Sequence, residues 1–247
     1  MTAGTVVLIR HGVTDWNADS RFQGHADIPL NDLGRAQAEA MAAHAARDLR
    51  PTRIVSSDLV RARETALALA RACELEVAVD ARLREIDVGE WEGLTMAEVA
   101  DQVPGFAEGL DPGDDFRWSA TGETANEATA RVAEAIRDHA ERASGDEVLA
   151  VVGHGAVLRN AVVRLMGLDA PLAVMGVLSN CGWAVLRPRT AYWRLAAYNQ
   201  TAGGGWRPPD FLSLAGVVAV PPEVRGASWE DVKNMAYRER GLGDGHS

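Results

Sequence analysis

The sequence predicts an α/β fold, a three-layer αβα sandwich around a mostly parallel sheet. Apolar runs typical of buried strands alternate with segments of helical periodicity, an order that places helices on both faces of a sheet. Two of the apolar runs, residues 6–9 and 148–152, are followed within two residues by a His-Gly pair, at His11 and His154. Because open α/β sheets place ligands at the carboxyl ends of their strands, we expect both histidines at one edge of the sheet.

The first third of the chain contains three predicted strands and two predicted helices. Short apolar runs bounded by polar residues predict strands, and apolar residues spaced by three and four predict helices that begin at a capping side chain. In chain order these elements are a strand at residues 6–10, a helix from Asn31 or Asp32 to about residue 48, a strand at residues 53–56, a helix through residues 59–69 with Ser57 or Asp58 as its cap, and a strand at residues 75–79.

The remainder of the predicted domain contains two helices and three strands. The same signals apply, and the turn before the last strand is indicated by a proline. In chain order these elements are a helix at residues 124–143, a strand at residues 148–152, a helix through residues 158–165, and strands at residues 182–186 and 192–197, joined by a turn through Pro188.

We expect residues 1–202 to form one domain. Within it, a segment rich in glycine, proline and aspartate with interspersed aromatic residues predicts an excursion over the site at about residues 100–123. Residues 203–247 have a different character, with two Pro-Pro pairs around an apolar run. We expect this tail to pack on the body or to be partly disordered.

The composition excludes some classes of function. The 247 residues carry a formal net charge of −10, which argues against a nucleic-acid-binding surface, although a local cluster of arginine and histidine can still bind an anion. No apolar stretch approaches the roughly 20 residues that span a bilayer, and no secretory signal is visible, so we expect no membrane association. Cys73 and Cys181 lack a Cys-x-x-Cys pattern and are expected to be free thiols of a cytoplasmic protein. The sequence leaves a homodimer open.

The residues after the first strand suit phosphate chemistry. Residues 10–17 read Arg-His-Gly-Val-Thr-Asp-Trp-Asn. The planar guanidinium group of arginine forms paired hydrogen bonds to phosphate oxygens, and a neutral imidazole can attack phosphorus. Together with the His-Gly pair at His154, this stretch resembles the signature of the histidine phosphatase superfamily, also called the phosphoglycerate mutase-like family. The resemblance covers about residues 5–200.

The resemblance implies roles for two histidines and two arginines. His11 would be the nucleophile that forms a phosphohistidine, which splits one difficult displacement into two easier ones. His154 would donate a hydrogen bond to the phosphoryl oxygens as charge builds on them. Arg10 and Arg61 would neutralise the phosphate, and Arg61 lies in residues 56–65, which are similar to the family's second-arginine motif.

Glu85 is the expected general acid. It lies in residues 83–93, Leu-Arg-Glu-Ile-Asp-Val-Gly-Glu-Trp-Glu-Gly, which resemble the family's acid-bearing loop. A carboxyl group beside a phosphate dianion retains its proton more readily, which suits a donor to the leaving alkoxide. Asp87, Glu90 and Glu92 are rivals by residue type alone.

The remaining site predictions concern substrate binding. No metal site and no cofactor are expected, because the two histidines stand beside arginines, which repel a cation. His25 lies close in sequence to the expected site and is a further candidate for substrate contact. The residues expected to bind substrate through polar or backbone groups are Thr14, Asn17, Gln23, Gly24 and Gly155.

The resemblance leaves four functions open. Cofactor-dependent phosphoglycerate mutases of the family have Glu-Arg-His-Tyr-Gly where this chain has Glu85-Ile-Asp-Val-Gly, so the arginine and tyrosine that would hold a second acidic group are missing. This favours a phosphatase, and residues 83–93 are similar to the loops of broad-specificity, α-ribazole and glucosyl-3-phosphoglycerate phosphatases. We expect hydrolysis of a small phosphorylated metabolite, a phosphosugar or a phosphoglycerate derivative. The alternatives are a 2,3-bisphosphoglycerate-dependent mutase, a non-catalytic phospho-ligand-binding protein, and a phosphoprotein phosphatase, which would need an open groove.

Overall fold

A sheet of six strands lies at the centre of the part of the chain that the structure describes. The computed structural model describes residues 2–103, 115–168, 174–190 and 192–203. The spatial order of the strands is β3-β2-β4-β1-β5-β6. Their bounds are β1 Thr5–Arg10, β2 Arg53–Ser56, β3 Val77–Val79, β4 Val148–Gly153, β5 Trp183–Pro188 and β6 Trp193–Gln200.

The sheet is mostly parallel, as predicted. Strands β3, β2, β4 and β1 run parallel, whereas β5 pairs antiparallel with β1, and β6 pairs antiparallel with β5. Arg10 lies opposite Gly153 in the register of β1 with β4. The two His-Gly pairs therefore leave neighbouring strands at the same edge, which confirms the expectation from the sequence.

Helices cover both faces of the sheet. Side chains of a strand alternate between the faces, so β1 contributes to two cores. Val6 and Leu8 pack in a buried cluster with the helices that flank β4 in sequence. Val7 and Ile9 pack in a second cluster with the helices on either side of β2. The α-helices are α1 Asp15–Ala18, α2 Asp32–His44, α3 Val60–Cys73, α4 Met96–Gln102, α5 Ala125–Glu141 and α6 Gly155–Leu165.

Several helix boundaries agree with the sequence, and one predicted cap is wrong. Asn31 caps α2, and Thr124 caps α5 in a capping box with Glu127. Neither Ser57 nor Asp58 caps α3, because Leu59 occupies the cap position and supplies no side-chain bond. The amide of Val60 instead donates to Oδ1 of Asp27 at 2.6 Å, a partner 33 residues away that no local pattern indicates.

The other differences concern short elements and element ends. Helices α1 and α4 were not predicted, and α2 continues into a π-helical turn at Ala45–Leu49. Strand β3 begins at Val77, two residues later than expected, and Pro188 is the last residue of β5 and not part of the turn. Most of the predicted excursion, residues 104–114, and the tail from residue 204 lie outside the described residues. In the described part of the chain, no helix has the length and apolar character needed to cross a membrane.

Candidate active site

The two histidines lie together at the carboxyl edge of β1 and β4. The amide of His11 donates to the carbonyl oxygen of Gly153 at 2.9 Å, which continues the ladder between the strands. The two imidazole rings are 5.2 Å apart between centroids and are inclined at 61°. His11 is 3% exposed and His154 is fully buried.

The hydrogen bonds of His11 fix its tautomer. Its Nδ1 atom lies 2.6 Å from the carbonyl oxygen of Gly12. Because a carbonyl oxygen can only accept, Nδ1 carries the hydrogen, and Nε2 keeps its lone pair. His11 therefore has the protonation pattern of a nucleophile.

His154 has the opposite tautomer. Nε of Arg61 donates to Nδ1 of His154 at 3.2 Å, so the ring hydrogen of the neutral imidazole is on Nε2. That Nε2 atom lies 2.9 Å from Oγ of Ser57, which accepts its hydrogen bond. His154 is therefore arranged as a donor.

Both imidazoles are held in the neutral form. Burial lowers the pKa of His11 well below its usual range, and the charges of Arg61 and Arg10 lower it further. The pKa of His154 is also well below its usual range, mainly because of burial and next because of Arg61. The two rings differ in tautomer and not in charge.

Arg61 is fully buried and is held by three acceptors. Besides its bond to His154, it donates from Nη1 to the carbonyl oxygen of Ala26 at 2.6 Å and from Nη2 to that of Gly24 at 2.8 Å. Burial lowers the pKa of Arg61 to about 10, and nearby carboxylates, first Glu85, act in the opposite direction. The guanidinium group is therefore still protonated at neutral pH, with two of its five N–H groups left over.

Arg10 lies against Gly155 and has a buried donor without a partner. Its Nη1 atom donates to the carbonyl oxygen of Leu178 at 2.8 Å, whereas Nε is buried and unpaired. A Cβ atom at Gly155 would lie 3.0 Å from that Nε. The absence of a side chain at Gly155 therefore leaves room for Arg10.

The carboxylate of Glu85 binds the first turn of α6. Oε1 accepts from the amides of Ile86 at 3.0 Å and Val157 at 3.1 Å, and Oε2 accepts from the amide of Ala156 at 3.1 Å. The amino terminus of a helix favours an anion because its first amides have no partner within the helix. Oε1 is filled by two bonds, while Oε2 has one acceptor position left.

These groups line a cavity of about 180 Å³. Seven of the predicted site residues contribute to its wall, whereas Thr14, His154 and Gly155 do not line it. Phe22, Ile86, Val88 and Trp118 add apolar surface, and Arg21 adds a third arginine. The predicted residues in the wall are Arg10, His11, Asn17, Gln23, Gly24, Arg61 and Glu85.

Thr14 and Asn17 form the cap of α1. Oγ1 of Thr14 accepts from the amide of Asn17, and Oδ1 of Asn17 accepts from the amide of Thr14, both at 3.1 Å. Asn180 also donates to Oδ1 of Asn17, at 3.3 Å, and to the carbonyl oxygen of His11, at 3.0 Å. Thr14 is thus a buried structural residue. The side-chain Nδ2 of Asn17 remains available to donate to a ligand.

Glu92 holds the loop that binds Arg61. Its Oε1 atom accepts from the amides of His25 at 2.6 Å and Ala26 at 2.9 Å. Gly24 has a φ of +48°, and a Cβ atom there would lie 2.7 Å from Oε1 of Glu92. Nε2 of His25 donates to the carbonyl oxygen of Glu85 at 2.9 Å, so His25 supports the site and does not line the cavity.

Three supporting residues were missed from the sequence. Ser57 was interpreted as a helix cap, and Glu92 was only a rival for the general acid. Asn180 precedes β5, the antiparallel neighbour of β1, and its polar side chain just before an apolar strand was the available signal. Across residues 2–103, 115–168, 174–190 and 192–203, no group of three or more histidine, cysteine, aspartate or glutamate side chains is arranged to hold a metal ion.

Comparison with known proteins agrees with this geometry. A family model described as the histidine phosphatase superfamily (branch 1) matches residues 6–201. The chain belongs to the histidine phosphatase superfamily. The resemblance inferred from residues 10–17 and from His154 is confirmed, and the chain is a phosphatase of this superfamily with a phosphoglycerate mutase-like fold.

Relatives in the superfamily include phosphatases and a mutase. A glucosyl-3-phosphoglycerate phosphatase from Mycolicibacterium vanbaalenii is 35% identical over 221 residues, which cover 82% of this chain and 97% of the relative. A probable phosphoglycerate mutase, GpmB, from Enterobacter sp. is 37% identical over 176 residues, which cover 71% of this chain and 81% of the relative. The structure of a mycobacterial glucosyl-3-phosphoglycerate phosphatase in complex with VO3 is similar, with a TM-score of 0.73 and 34% identity, covering 80% of this chain and 99% of that chain.

Proposed function

We propose that the protein hydrolyses a phosphosugar or a phosphoglycerate derivative through a phosphohistidine on Nε2 of His11. The tautomer of His11 carries this proposal. Gly12 holds the hydrogen on Nδ1, and the unprotonated Nε2 belongs to a ring that lines a cavity with three arginines. This combination supports attack on the phosphorus of a bound anion.

In the first step, the lone pair of His11 Nε2 forms a bond to phosphorus while the bond from phosphorus to the leaving oxygen breaks. Arg10 and Arg61 balance the charge of the phosphoryl group through their remaining donors. The Nε2 hydrogen of His154 donates to Oγ of Ser57 in this structure, and the proposal requires it to leave Ser57 and donate to a phosphoryl oxygen when substrate binds. Donors of this kind typically contribute about 2.7–4 kcal/mol each to transition-state stability.

Glu85 supplies the proton that the leaving oxygen needs. The proton leaves from Oε2, the oxygen that has a position left beside its bond to Ala156. In the second step, water attacks phosphorus, the P–N bond breaks, and its electron pair returns to Nε2 of His11. Glu85 takes a proton from the water, and inorganic phosphate is released.

Two unpaired polar atoms in residues of the cavity wall support a substrate with hydroxyl groups. Oε1 of Gln23 and Nε1 of Trp118 are buried without a partner, and both residues line the cavity. A hydroxyl group can donate to the first and accept from the second, which removes the cost of two unsatisfied buried groups. The similarity to glucosyl-3-phosphoglycerate phosphatases supports the same class of substrate.

A phosphoglycerate mutase is the second candidate, favoured by the 37% identity to a probable mutase. The two activities differ in the fate of the phosphoryl group, which a mutase returns to the organic acid and a phosphatase transfers to water. The loop at Glu85-Ile-Asp-Val-Gly, without the arginine and tyrosine of the mutases, supports the phosphatase.

Phosphate release from a panel of phosphomonoesters tests the proposal. The panel contains 3-phosphoglycerate, glucosyl-3-phosphoglycerate, sugar phosphates, α-ribazole phosphate and p-nitrophenyl phosphate, and a mutase assay runs in parallel. We expect release by the wild type, none by His11→Ala, and wild-type rates for His44→Ala, a histidine at the end of α2 outside the cavity wall. Interconversion of 3- and 2-phosphoglycerate without release would assign the chain to the mutases.

A cytoplasmic location belongs to the same proposal. Cys73 and Cys181 are both free thiols, which supports a reducing compartment. The mass in solution, measured by light scattering during gel filtration, distinguishes a monomer of 26.4 kDa from a homodimer.

A further inference from the structure

Glu85 lies on a stretch of chain that has no secondary structure of its own. Residues 84–88 connect two short 3₁₀ turns, Ala81–Leu83 and Gly89–Trp91, and belong to no helix or strand. No helix or sheet ladder therefore fixes the main chain of Glu85, and its position depends on side chains that bind its backbone.

Glu123 and Arg131 form an ion pair beside this stretch. Nε of Arg131 donates to Oε1 of Glu123 at 3.0 Å, and Nη2 donates to Oε2 at 2.5 Å. The pair is mostly buried, with side chains 25% and 22% exposed. Such a bidentate contact fixes both side chains in one orientation.

Arg131 binds the backbone on the amino-terminal side of the loop. Its Nη1 atom donates to the carbonyl oxygens of Arg82 at 2.8 Å and Arg84 at 3.0 Å, and Nη2 donates to that of Glu85 at 3.2 Å. One guanidinium group thus binds three carbonyl oxygens within four residues of the chain.

Glu123 binds the backbone on the other side. Its Oε2 atom accepts from the amide of Asp87 at 3.0 Å, and its own amide donates to the carbonyl oxygen of Asp87 at 2.8 Å. Five hydrogen bonds from this pair therefore hold the main chain at Glu85 and at residues on both sides of it.

We propose that Glu123 and Arg131 are positioning residues for proton transfer by Glu85. Neither residue lines the cavity, and both act by fixing the backbone from which the Glu85 side chain reaches α6. This inference rests on the proposed role of Glu85 as the general acid. A displacement of about 1 Å at a reacting group can cost on the order of 100-fold in rate. Loss of the hydrogen bonds that hold the backbone of Glu85 should therefore lower the rate of proton transfer.

The leaving group provides the readout. An alkyl phosphate needs a proton on its leaving oxygen, whereas p-nitrophenolate leaves without one. We measure kcat for p-nitrophenyl phosphate and for the alkyl phosphate of the panel that is hydrolysed fastest, in Arg131→Lys and Glu123→Gln. We expect the alkyl rate to fall about 10-fold more than the aryl rate, within the range of about 10²–10⁴ that general acid catalysis contributes.

Met41→Ala is the structural control. Met41 lies in α2, is fully buried, and packs in the second core cluster, which contains no residue of 84–88, so shortening it weakens the core on the other side of the sheet. We expect a lower melting temperature and an unchanged ratio of alkyl to aryl rates. An equal change of the ratio in this control would show that general destabilisation explains the effect, and would overturn the proposal.

A double-mutant cycle with Glu85→Gln separates this inference from the proposed function. If the pair acts through Glu85, Arg131→Lys leaves the ratio unchanged in the Glu85→Gln background. If Glu85→Gln shifts the ratio and Arg131→Lys and Glu123→Gln do not, positioning is overturned and the role of Glu85 stands. If Glu85→Gln itself does not shift the ratio, the general-acid role fails and the inference fails with it.

Discussion

The Nε atom of Arg61 donates a hydrogen bond to Nδ1 of His154, and the two atoms are 3.2 Å apart. This bond places the ring hydrogen of His154 on Nε2, whereas the bond of His11 to Gly12 leaves Nε2 of His11 without one. Two histidines that follow neighbouring parallel strands therefore present opposite groups, a lone pair and a donor. Because Arg61 occupies the lone pair on Nδ1 of His154 and its Nε2 carries the hydrogen, His154 cannot be the nucleophile.

Replacing Arg61 by lysine should remove this distinction. An ammonium group cannot reach His154 and the carbonyl oxygens of Gly24 and Ala26 in the planar arrangement of a guanidinium group. We expect kcat/KM in Arg61→Lys to fall about 10²–10³-fold, the usual cost of one preorganised donor. Arg63→Lys, an exposed residue on the same helix, should keep the wild-type value. Equal losses in both variants would contradict the assignment.

The buried histidines predict a pH dependence of stability. In the unfolded chain a histidine binds a proton near pH 6.5, whereas the folded protein keeps His11 and His154 neutral to a lower pH. As the pH falls below about 6.5, protons bind the unfolded chain preferentially, so the free energy of unfolding decreases. Each histidine contributes a slope of about 1.4 kcal/mol per pH unit in this window.

Urea unfolding of the wild type and of His11→Asn between pH 7.5 and pH 5 measures this effect. Both proteins contain the same carboxylates, so the difference between their slopes isolates His11. We expect a shallower slope in the variant. Parallel slopes would mean that His11 binds its proton equally well in the folded protein.

Gly155→Ala should lower the activity of the enzyme without lowering its stability. The added Cβ atom would lie 3.0 Å from Nε of Arg10 and displaces that guanidinium group. Gly155 opens α6 without a positive φ, so alanine suits its backbone and does not weaken the helix. We expect kcat/KM to fall about 10-fold at an unchanged or higher melting temperature. Gly145→Ala, where nothing lies within 4 Å of the new Cβ atom, should be fully active.

Removing the Glu92 carboxylate should weaken phosphate binding. Its Oε1 atom holds the amides of His25 and Ala26, in the loop whose carbonyl oxygens bind Arg61. We expect Glu92→Ala to raise the inhibition constant of inorganic phosphate about 10-fold, and Glu92→Gln, which retains an acceptor oxygen, to recover most of the affinity. A wild-type inhibition constant in Glu92→Ala would exclude this role.

The sequence predicted the positions that depend on local pattern. Apolar runs located β1 and β4, and the His-Gly pairs after them located His11 and His154 at one edge, because parallel neighbours share the direction of their carboxyl ends. The spacing of Leu59, Ala62 and Ala66 placed Arg61 in the first turn of α3.

The partners of these residues could not be predicted in the same way. Ser57 meets His154 across 97 positions of sequence, and Asn180 meets His11 across 169. Asp27, and not Ser57 or Asp58, binds the first turn of α3 for the same reason. A hydrogen bond between distant segments leaves no periodicity in either segment, so only the folded chain shows it.

The spatial order of the strands has a consequence during synthesis on the ribosome. Strand β4 lies between β1 and β2, although about 90 residues follow β2 before β4 is made. A nascent chain that ends before residue 148 therefore contains His11, which follows β1, and Arg61, in the helix after β2, but lacks the strand that joins β1 to β2. Because β4 separates β1 from β2, His11 and Arg61 can line one anion-sized cavity only after β4 has been made, so we expect a translation product that ends before residue 148 to have no phosphatase activity.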